Sequence, residues 1–550
     1  MERLVASRSR SPLRTWTSAI GKVPWVRAGA STCVLRLVEK LGETSFNSTV
    51  GKSARWPLKK WEALFSEIGL DPREAGTFAS VVLGNRAALP GGADYERVYR
   101  RIGVPLDLRG QPVPSAFRSS DRGRLGPLLA RLALERCTED VVPGGAVCQD
   151  CPVRLFCKAA RFGTKSAAKG PEFIDLFAGA GGFSAGFRAA GFKLRCAVEL
   201  DVQAADTFYL NHPEAPEGSV LRADVSILAT DANFISKHRG IPVVIGGPPC
   251  QAFSIAHRHR GADKNDYRRL LFRPFVKLAR ALDARFIVME NVLGLRSAAE
   301  GRTVREIEEE FESAGFEVEN RVVDSSSYGV PQRRRRVLFV AARRDSFADP
   351  ASAIQMFWTD LYTRKRPGLA TLRQALSGLP RVRAGGGALV MTHRPAGRRS
   401  KYALSLRARS RKLTLNHQAR AHNPRDISIF RALHPGEDST SLENRIPGTI
   451  PYSLDSYGDK YRKLRLDRPS PTIPAHLRRD ANGFVHPELP RGITCREAAR
   501  LQSFPDDYFF LGGFGAPFVQ TGNAVPPLLA QAVAGATGKA LSSQPAGASA

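Results

Sequence analysis

The chain has 550 residues, room for three or four domains and a large core. Its 82 Lys+Arg against 52 Asp+Glu leave a formal charge of +30, which points to a polyanion such as nucleic acid as partner. No apolar run is long enough to cross a bilayer and no basic amphipathic helix marks a membrane surface, so a membrane protein is excluded as an expectation.

Residues 1–50 are rich in Arg and Ser and poor in acids. An organellar targeting peptide has that composition, but Glu2 and Glu39 interrupt it and no secretory core follows. A basic flexible arm without signal function is expected.

Residues 51–165 read as short helices. Trp56, Leu58, Trp61, Leu64 and Phe65 recur at helical spacing, and Gly69 with Pro72 ends that element. Further helices are expected near 95–102 and 125–134. Then comes Cys137-x10-Cys148-x2-Cys151-x5-Cys157. Thiols so close together can ring one metal centre, whereas Cys33, Cys196, Cys250 and Cys495 are scattered. This usage suits a reduced compartment, not a disulfide framework. The stretch CQDCPVRLFC at 148–157 resembles the iron–sulfur loop of endonuclease III-like DNA glycosylases, and DYERVYRR at 94–101 resembles the segment after their hairpin. The gap of ten is longer than usual in that family, and no hairpin glycine motif with a catalytic lysine is present. The resemblance therefore implies a [4Fe-4S] cluster, with zinc as the alternative, on a DNA-binding fold. It does not imply glycosylase activity, for which Asp94 and this loop would be the only support.

A polar linker precedes an apolar strand at 173–177, a turn AGAGG at 178–182, and a helix ending near Gly191. Strand, glycine turn and helix make the first unit of a Rossmann-like nucleotide site, with the helix amino end favourable to a carboxylate or phosphate. Residues 194–199 form a second strand ending in Glu199, placed for a ribose. Asp224 follows a third strand and would meet an adenine amino group. Each acid alone is equally a helix cap or a solvated charge. Together they imply an adenosine-bearing cofactor. The turn lacks the phosphate-loop pattern of ATP enzymes, and NAD is not excluded by the glycines.

The strand 243–245 breaks at Gly246 and Gly247 and leads into Pro248-Pro249-Cys250. Two prolines stiffen the turn, so the thiol on it can be aimed. Taken alone, Cys250 is as readily a small buried cysteine. A helix to about 282 and a strand 286–289 follow, ending at Glu290-Asn291. A carboxylate leaving a buried strand is either scaffolding or a catalytic acid. A helix at 302–313, a strand at 316–323 and a strand at 337–340 come next. The last is opened by QRRRR at 332–336, where alternation would send Arg334 and Arg336 to one face. Residues 343–452 break the strand–helix rhythm and are rich in Arg, Gly, Ser and His; a DNA-facing insertion is expected. A helix from Pro527 to about 536 closes the chain before a frayed tail.

Six blocks, in order, resemble the motifs of DNA (cytosine-5) methyltransferases of the bacterial restriction–modification type. They are DLFAGAGG at 175–182, GPPCQ at 247–251, ENV at 290–292, Gln332-x-Arg334-x-Arg336, REAARLQ at 496–502 with Phe504-Pro505, and GNAVPP at 522–527. The likeness covers about residues 171–540. It implies an α/β fold: a Rossmann-like SAM-dependent methyltransferase domain at 171–345, a smaller target-recognition domain at 346–455, and a segment 456–550 that completes the small domain and returns to the catalytic one. An N-terminal α-helical domain at 51–165 carries the cysteine loop.

The resemblance also implies roles. Cys250 would add to C6 of a flipped cytosine, making C5 nucleophilic. Glu290 would hold the N3 edge and amino group, and Arg334, with Arg336, would stabilise the adduct. Asn291 would orient the Pro-Cys loop. S-adenosyl-L-methionine would lie across Phe177, Gly179, Gly181, Glu199, Asp224, Pro248, Asn523 and Val525. The expected substrate is a specific double-stranded DNA sequence, and the protein a cytoplasmic, nucleoid-associated bacterial monomer with a cognate restriction endonuclease as partner. The alternatives are a tRNA cytosine-5 methyltransferase and a cluster-stabilised DNA-binding protein with a vestigial methyltransferase half.

Overall fold

A computed structural model describes residues 170–212, 214–216, 218–249, 270–297, 301–392, 400–406, 413–454, 460–478 and 481–543. The chain divides into two compact units, Met1–Ser166 and Ala167–Ala550, and all described residues fall in the second. The basic arm, the helical segment, Cys137, Cys148, Cys151, Cys157 and Cys250 lie outside the described residues.

The second unit opens with β1 (Glu172–Leu176), α1 (Gly182–Ala189), β2 (Lys193–Val198), α2 (Val202–Asn211), β3 (Val220–Leu221), α3 (Val225–Leu228), α4 (Ala232–His238) and β4 (Val243–Gly246). It continues through α5 (Phe272–Ala281), β5 (Phe286–Val292), α6 (Arg302–Ser313), β6 (Phe316–Asp324) and β7 (Arg335–Arg343). These strands form a seven-stranded sheet in the order β3-β2-β1-β4-β5-β7-β6. The first five are parallel, and β7 runs antiparallel to β5 and β6. The order reverses between β1 and β4, which opens a crevice at their carboxyl ends. The glycine turn leaves β1 there, and Gly247-Pro248-Pro249 leaves β4 beside it.

The central strands read as continuous apolar runs because both faces are covered. Phe173, Val243, Ile245, Phe286, Val288, Leu338 and Val340 belong to one core layer. Ile174, Leu176, Val244, Ile287, Met289, Val337 and Phe339 belong to the other, together with side chains of α3, α4, α5 and α6. The period of two in the strands thus separates two cores with one sheet between them.

After β7 the chain forms α7 (Pro350–Thr363), α8 (Leu372–Leu376), β8 (Gly387–Thr392), α9 (Lys401–Ser405), β9 (Leu413–Gln418), α10 (Pro424–Ala432), α11 (Ser439–Arg445), α12 (Cys495–Leu501), α13 (Ala516–Asn523) and α14 (Pro527–Leu541). Strands β8 and β9 pair antiparallel as a separate small sheet. The expected boundary at 345 puts α7 in the recognition region, whereas Phe357, Trp358 and Leu361 of α7 are buried in the first core layer with Leu529 and Val533 of α14. The last helix runs five residues beyond the expected end near 536.

Helix α14 lies against α1 at close range. A Cβ added at Gly182 would lie 2.4 Å from the Val525 carbonyl oxygen, and one at Gly186 would lie 2.3 Å from the Ala530 Cβ. Two glycines one helical turn apart let the backbones meet, which seats the Asn523–Val525 stretch against the glycine turn.

Candidate active site

The glycine turn follows from its backbone. Phe177, Gly179 and Gly181 take φ of 58, 55 and 89, left-handed values that glycine adopts freely and phenylalanine does not. A Cβ at Gly179 would meet no atom of the described residues within 4 Å, so among them the space over the turn is open. Beneath it, Ser184 Oγ of α1 donates to Asp175 Oδ2 at 2.6 Å. Asp175 is buried, and that burial, with Glu199 nearby, lifts its carboxyl to about 7. The one signal for this pair in the sequence is an acid inside an apolar strand.

Glu199 closes β2. Its Oε2 accepts the Gly179 N–H and its Oε1 the Asp201 N–H, each at 2.7 Å. Burial raises its pKa in spite of these bonds. The two oxygens offer about four acceptor sites between them, so beyond the backbone groups of Gly179, Asp201 and Leu200 one is left for a hydroxyl donor. Asp224 caps α3, accepting the Ser226 N–H at 2.8 Å. Asn523 is exposed at the end of α13, and Val525 is buried behind it.

On the other side of the crevice, Glu290 lies within β5, two residues before its end. The ladder pairs Glu290 with Leu338 and Val292 with Arg336, so Glu290 and Arg336 are diagonal neighbours on one face. Arg336 Nε lies 2.9 Å from Glu290 Oε1, although the N–H is not aimed at that oxygen and both atoms are shut off from solvent. The other oxygen, Oε2, is the one turned to the β4 exit: a Cβ at Gly247 would lie 3.4 Å from it. Asn291 Nδ2 donates to the Pro248 carbonyl at 3.3 Å. The chain that leads to Cys250 is therefore tied to the strand that carries Glu290.

Arg334 and Arg336 have different surroundings. Arg334 precedes β7 and is 2% exposed. Its Nη1 donates to the Ile473 carbonyl at 3.3 Å and its Nη2 to the Gly522 carbonyl at 3.0 Å, while Nε has no partner among the described residues. Burial, with Arg336 beside it, pushes its pKa well down. Gln332 continues the junction. It donates to the Leu501 carbonyl and to Gln502 Oε1 and accepts the Ile473 N–H. Gln502 Nε2 in turn donates to the Thr521 carbonyl at 2.7 Å. The start of β7, the 470–475 stretch, α12 and α13 are thus joined by two buried amides and a buried guanidinium. Neither amide was singled out by sequence; their motif positions were the only signal.

Beside Arg336 a cavity of about 520 Å³ is lined by Arg333, Arg335, Asp324, Ser326, Thr472, Leu293 and Leu369.

A family model for C-5 cytosine-specific DNA methylase matches residues 172–539. The chain belongs to the C-5 cytosine-specific DNA methylases. The methylase is 36% identical over 369 residues to the Type II methyltransferase M1.HphI of Haemophilus parahaemolyticus, covering 66% of this chain and 85% of that one. It is 34% identical over 391 residues to the Type II methyltransferase M.DdeI of Desulfomicrobium norvegicum, covering 66% and 87%. Among solved structures, a proposed DNA modification methyltransferase encoded within an E. coli prophage superposes with a TM-score of 0.52 at 26% identity, covering 66% of this chain and 98% of that one. The matched span begins at β1 and ends in α14, so the methylase is a DNA (cytosine-5) methyltransferase through its second unit.

S-adenosyl-L-methionine is the cofactor expected of this family, and the crevice fits it. The space over Gly179, the carboxylate after β2 and the amino end of α1, whose Gly181 cap makes no side-chain bond, offer room, a ribose acceptor and a carboxylate site, respectively. No helix among the described residues is long and apolar enough to cross a membrane.

Proposed function

We propose that this methylase acts on cytosines within a specific double-stranded DNA sequence, as the modification half of a restriction–modification system. The observation that carries the reading is the Glu290–Arg336 pair set against the β4 exit that leads to Cys250. Bound in the crevice, S-adenosyl-L-methionine would supply an electrophilic methyl group. Cys250 would add as a thiolate to C6 of the target base, and C5 would become the nucleophile. Glu290, through Oε2, would hold N3 and the exocyclic amino group and stabilise the protonated ring. Arg336, fixed against Glu290, is better placed than Arg334 to meet the base. Arg334, spent on two carbonyls, would hold the Ile473 and Gly522 backbone that walls the site. Phe177, Pro248, Asn523 and Val525 would line the cofactor with Gly179, Gly181, Glu199 and Asp224.

A stacked base hides C6, so the target must be turned out of the duplex at a cost of a few kcal/mol. The charge of +30 suits the phosphate contacts that offset it. Residues 346–455, which include the β8–β9 sheet, would read the sequence, and no membrane partner is needed. The relatives named above are Type II methyltransferases, which supports a cognate endonuclease as partner and a cytoplasmic location. Cys137, Cys148, Cys151 and Cys157 would bind a [4Fe-4S] cluster, or zinc, in the first unit.

The test is methyl transfer from radiolabelled cofactor to genomic DNA and to tRNA side by side, followed by sequencing of methylated cytosines. Label in DNA at one sequence context supports the reading. Label in tRNA alone overturns it.

A further inference from the structure

Segment 508–511, between α12 and α13, touches the glycine turn at one residue and the small sheet two residues later. The Tyr508 hydroxyl donates to the Ala180 carbonyl and lies 3.0 Å from His212 Nε2. The same His212 nitrogen is 3.0 Å from the Gly181 carbonyl oxygen. Both rings are buried, and a Cβ at Gly181 would lie 2.4 Å from His212 Nε2, so the imidazole fills the space left by the missing side chain. His212 is held in turn by Glu214 at 2.8 Å and by stacking on Phe208 at 4.1 Å.

The next two residues are gripped from opposite sides. Asn211 of α2 donates to the Phe509 carbonyl and accepts its N–H, both at 2.9 Å. Asn416 of β9 does the same to Phe510, again at 2.9 Å for both bonds. Leu511 N–H then donates to Thr207 Oγ1 at 2.8 Å. A four-residue strap is thus fastened to the glycine turn and α2 through Tyr508, Phe509 and Leu511, and to the small sheet through Phe510. Asn416 itself sits at φ 51, a left-handed value that asparagine tolerates better than most residues.

We propose that this strap sets the cofactor turn from the recognition side, with Tyr508 and His212 as the positioning residues. The inference rests on the reading that turn 177–182 holds S-adenosyl-L-methionine. A trans peptide points its N–H opposite to its carbonyl. Fixing the Gly181 carbonyl on His212 therefore aims the Gly182 N–H, the first amide of α1 and one without a partner inside the helix, away from the imidazole. That amide is the donor an amino-acid carboxylate would use at a helix start. Because β9 grips the same strap, a shift of the small sheet on DNA changes the geometry of the turn. By linkage, cofactor binding favours the small-sheet position that DNA selects.

The experiment uses the full chain. S-adenosyl-L-methionine affinity is measured by calorimetry for the native protein, Tyr508→Phe and Asn416→Asp, with Asn423→Ala, the α10 cap off the strap, as control. Amide hydrogen exchange is followed at 179–182 without cofactor. Tyr508→Phe keeps the ring and removes the donor; Asn416→Asp keeps the acceptor and its backbone preference and removes the donor. Affinity about tenfold weaker in Tyr508→Phe and about threefold weaker in Asn416→Asp is expected, with faster exchange at 179–182 in both and no change in Asn423→Ala. Native affinity and native exchange in both folded variants overturn the strap. Should the native protein bind no cofactor, the reading of the turn fails, and the exchange arm still decides whether the strap controls the turn. If either variant does not fold, Asn211→Asp tests the same strap from α2.

Discussion

Glu290 and Arg336 meet across β5 and β7, the first antiparallel step after the parallel strands. Their ladder partners are Leu338 and Val292, so each side chain lies one pair away from the other on the same face, with Nε and Oε1 2.9 Å apart. Both side chains are about nine-tenths buried, so neither is neutralised by water. Arg336→Ala would leave the carboxylate without its cation and is expected to cost about 3 kcal/mol in urea unfolding. Glu290→Gln is expected to lower single-turnover methyl transfer about a hundredfold to ten-thousandfold, measured with tritiated cofactor. An unchanged rate in a folded Glu290→Gln protein would remove Glu290 from the chemistry.

A covalent step through Cys250 makes its own prediction. A duplex with 5-fluorocytosine at the target should become attached to the protein in the presence of cofactor, because fluorine at C5 cannot leave as a proton does. The adduct should survive a denaturing gel in the native protein and be absent in Cys250→Ala. A trapped complex in the variant would mean that another group is the nucleophile.

The sheet and the order of the motifs were legible because each strand ends on a distinctive residue: Phe177 after β1, Glu199 after β2, the Gly-Pro-Pro turn after β4, Glu290 in β5. Continuous apolar runs marked buried strands, and β6 and α6 lie where periodicity put them. The direction of β7 was not legible, since a two-residue period is the same for either direction. The split between Arg334 and Arg336 was also hidden. Alternation describes a strand, and Arg334 precedes the strand, where the carbonyls of Ile473 and Gly522, more than a hundred residues away, decide its direction. The pairings of His212 with Tyr508 and Gln332 with Gln502 are long-range for the same reason, and no local pattern encodes them.

Glycine positions separate packing from backbone freedom. Gly186 has no unusual φ, but an added Cβ would lie 2.3 Å from Ala530 Cβ and 2.5 Å from backbone atoms of α14. Gly186→Ala should therefore push α1 from α14 and cost roughly 1–3 kcal/mol, more than the gain in helix propensity. Gly191 has φ 90 and nothing within 4 Å, so Gly191→Ala should cost only about 1 kcal/mol of backbone strain. Only the first should also weaken cofactor binding, because α1 begins at the turn. Equal unfolding midpoints for the two variants would refute the distinction.

The small-sheet side carries an acid-sensitive junction. Arg491 holds Glu497 bidentately at 2.8 and 2.7 Å, with both residues nearly fully buried. Burial alone would raise the Glu497 pKa, but the Arg491 guanidinium and its hydrogen bonds hold it far below the usual carboxylate range. The neighbouring His486 lies 3.6 Å from Glu497 and accepts the Glu488 and Leu489 N–H groups on Nδ1. Its burial, against the pull of Glu497, lowers its pKa to about 4. Both folded values lie below the unfolded ones, so the unfolded chain binds more protons as pH falls. The junction's contribution to stability should be full above about pH 6.5, decline between 6.5 and 4 through His486, and decline further below 4.5 through Glu497. Glu497→Gln should cost about 3–5 kcal/mol at pH 7, because Arg491 is left buried without a counter-charge, and should flatten the curve below pH 4.5. His486→Gln should flatten only the upper window. Urea unfolding from about pH 2.5 to 8 distinguishes them, and a native-like slope in both variants would place the acid sensitivity elsewhere.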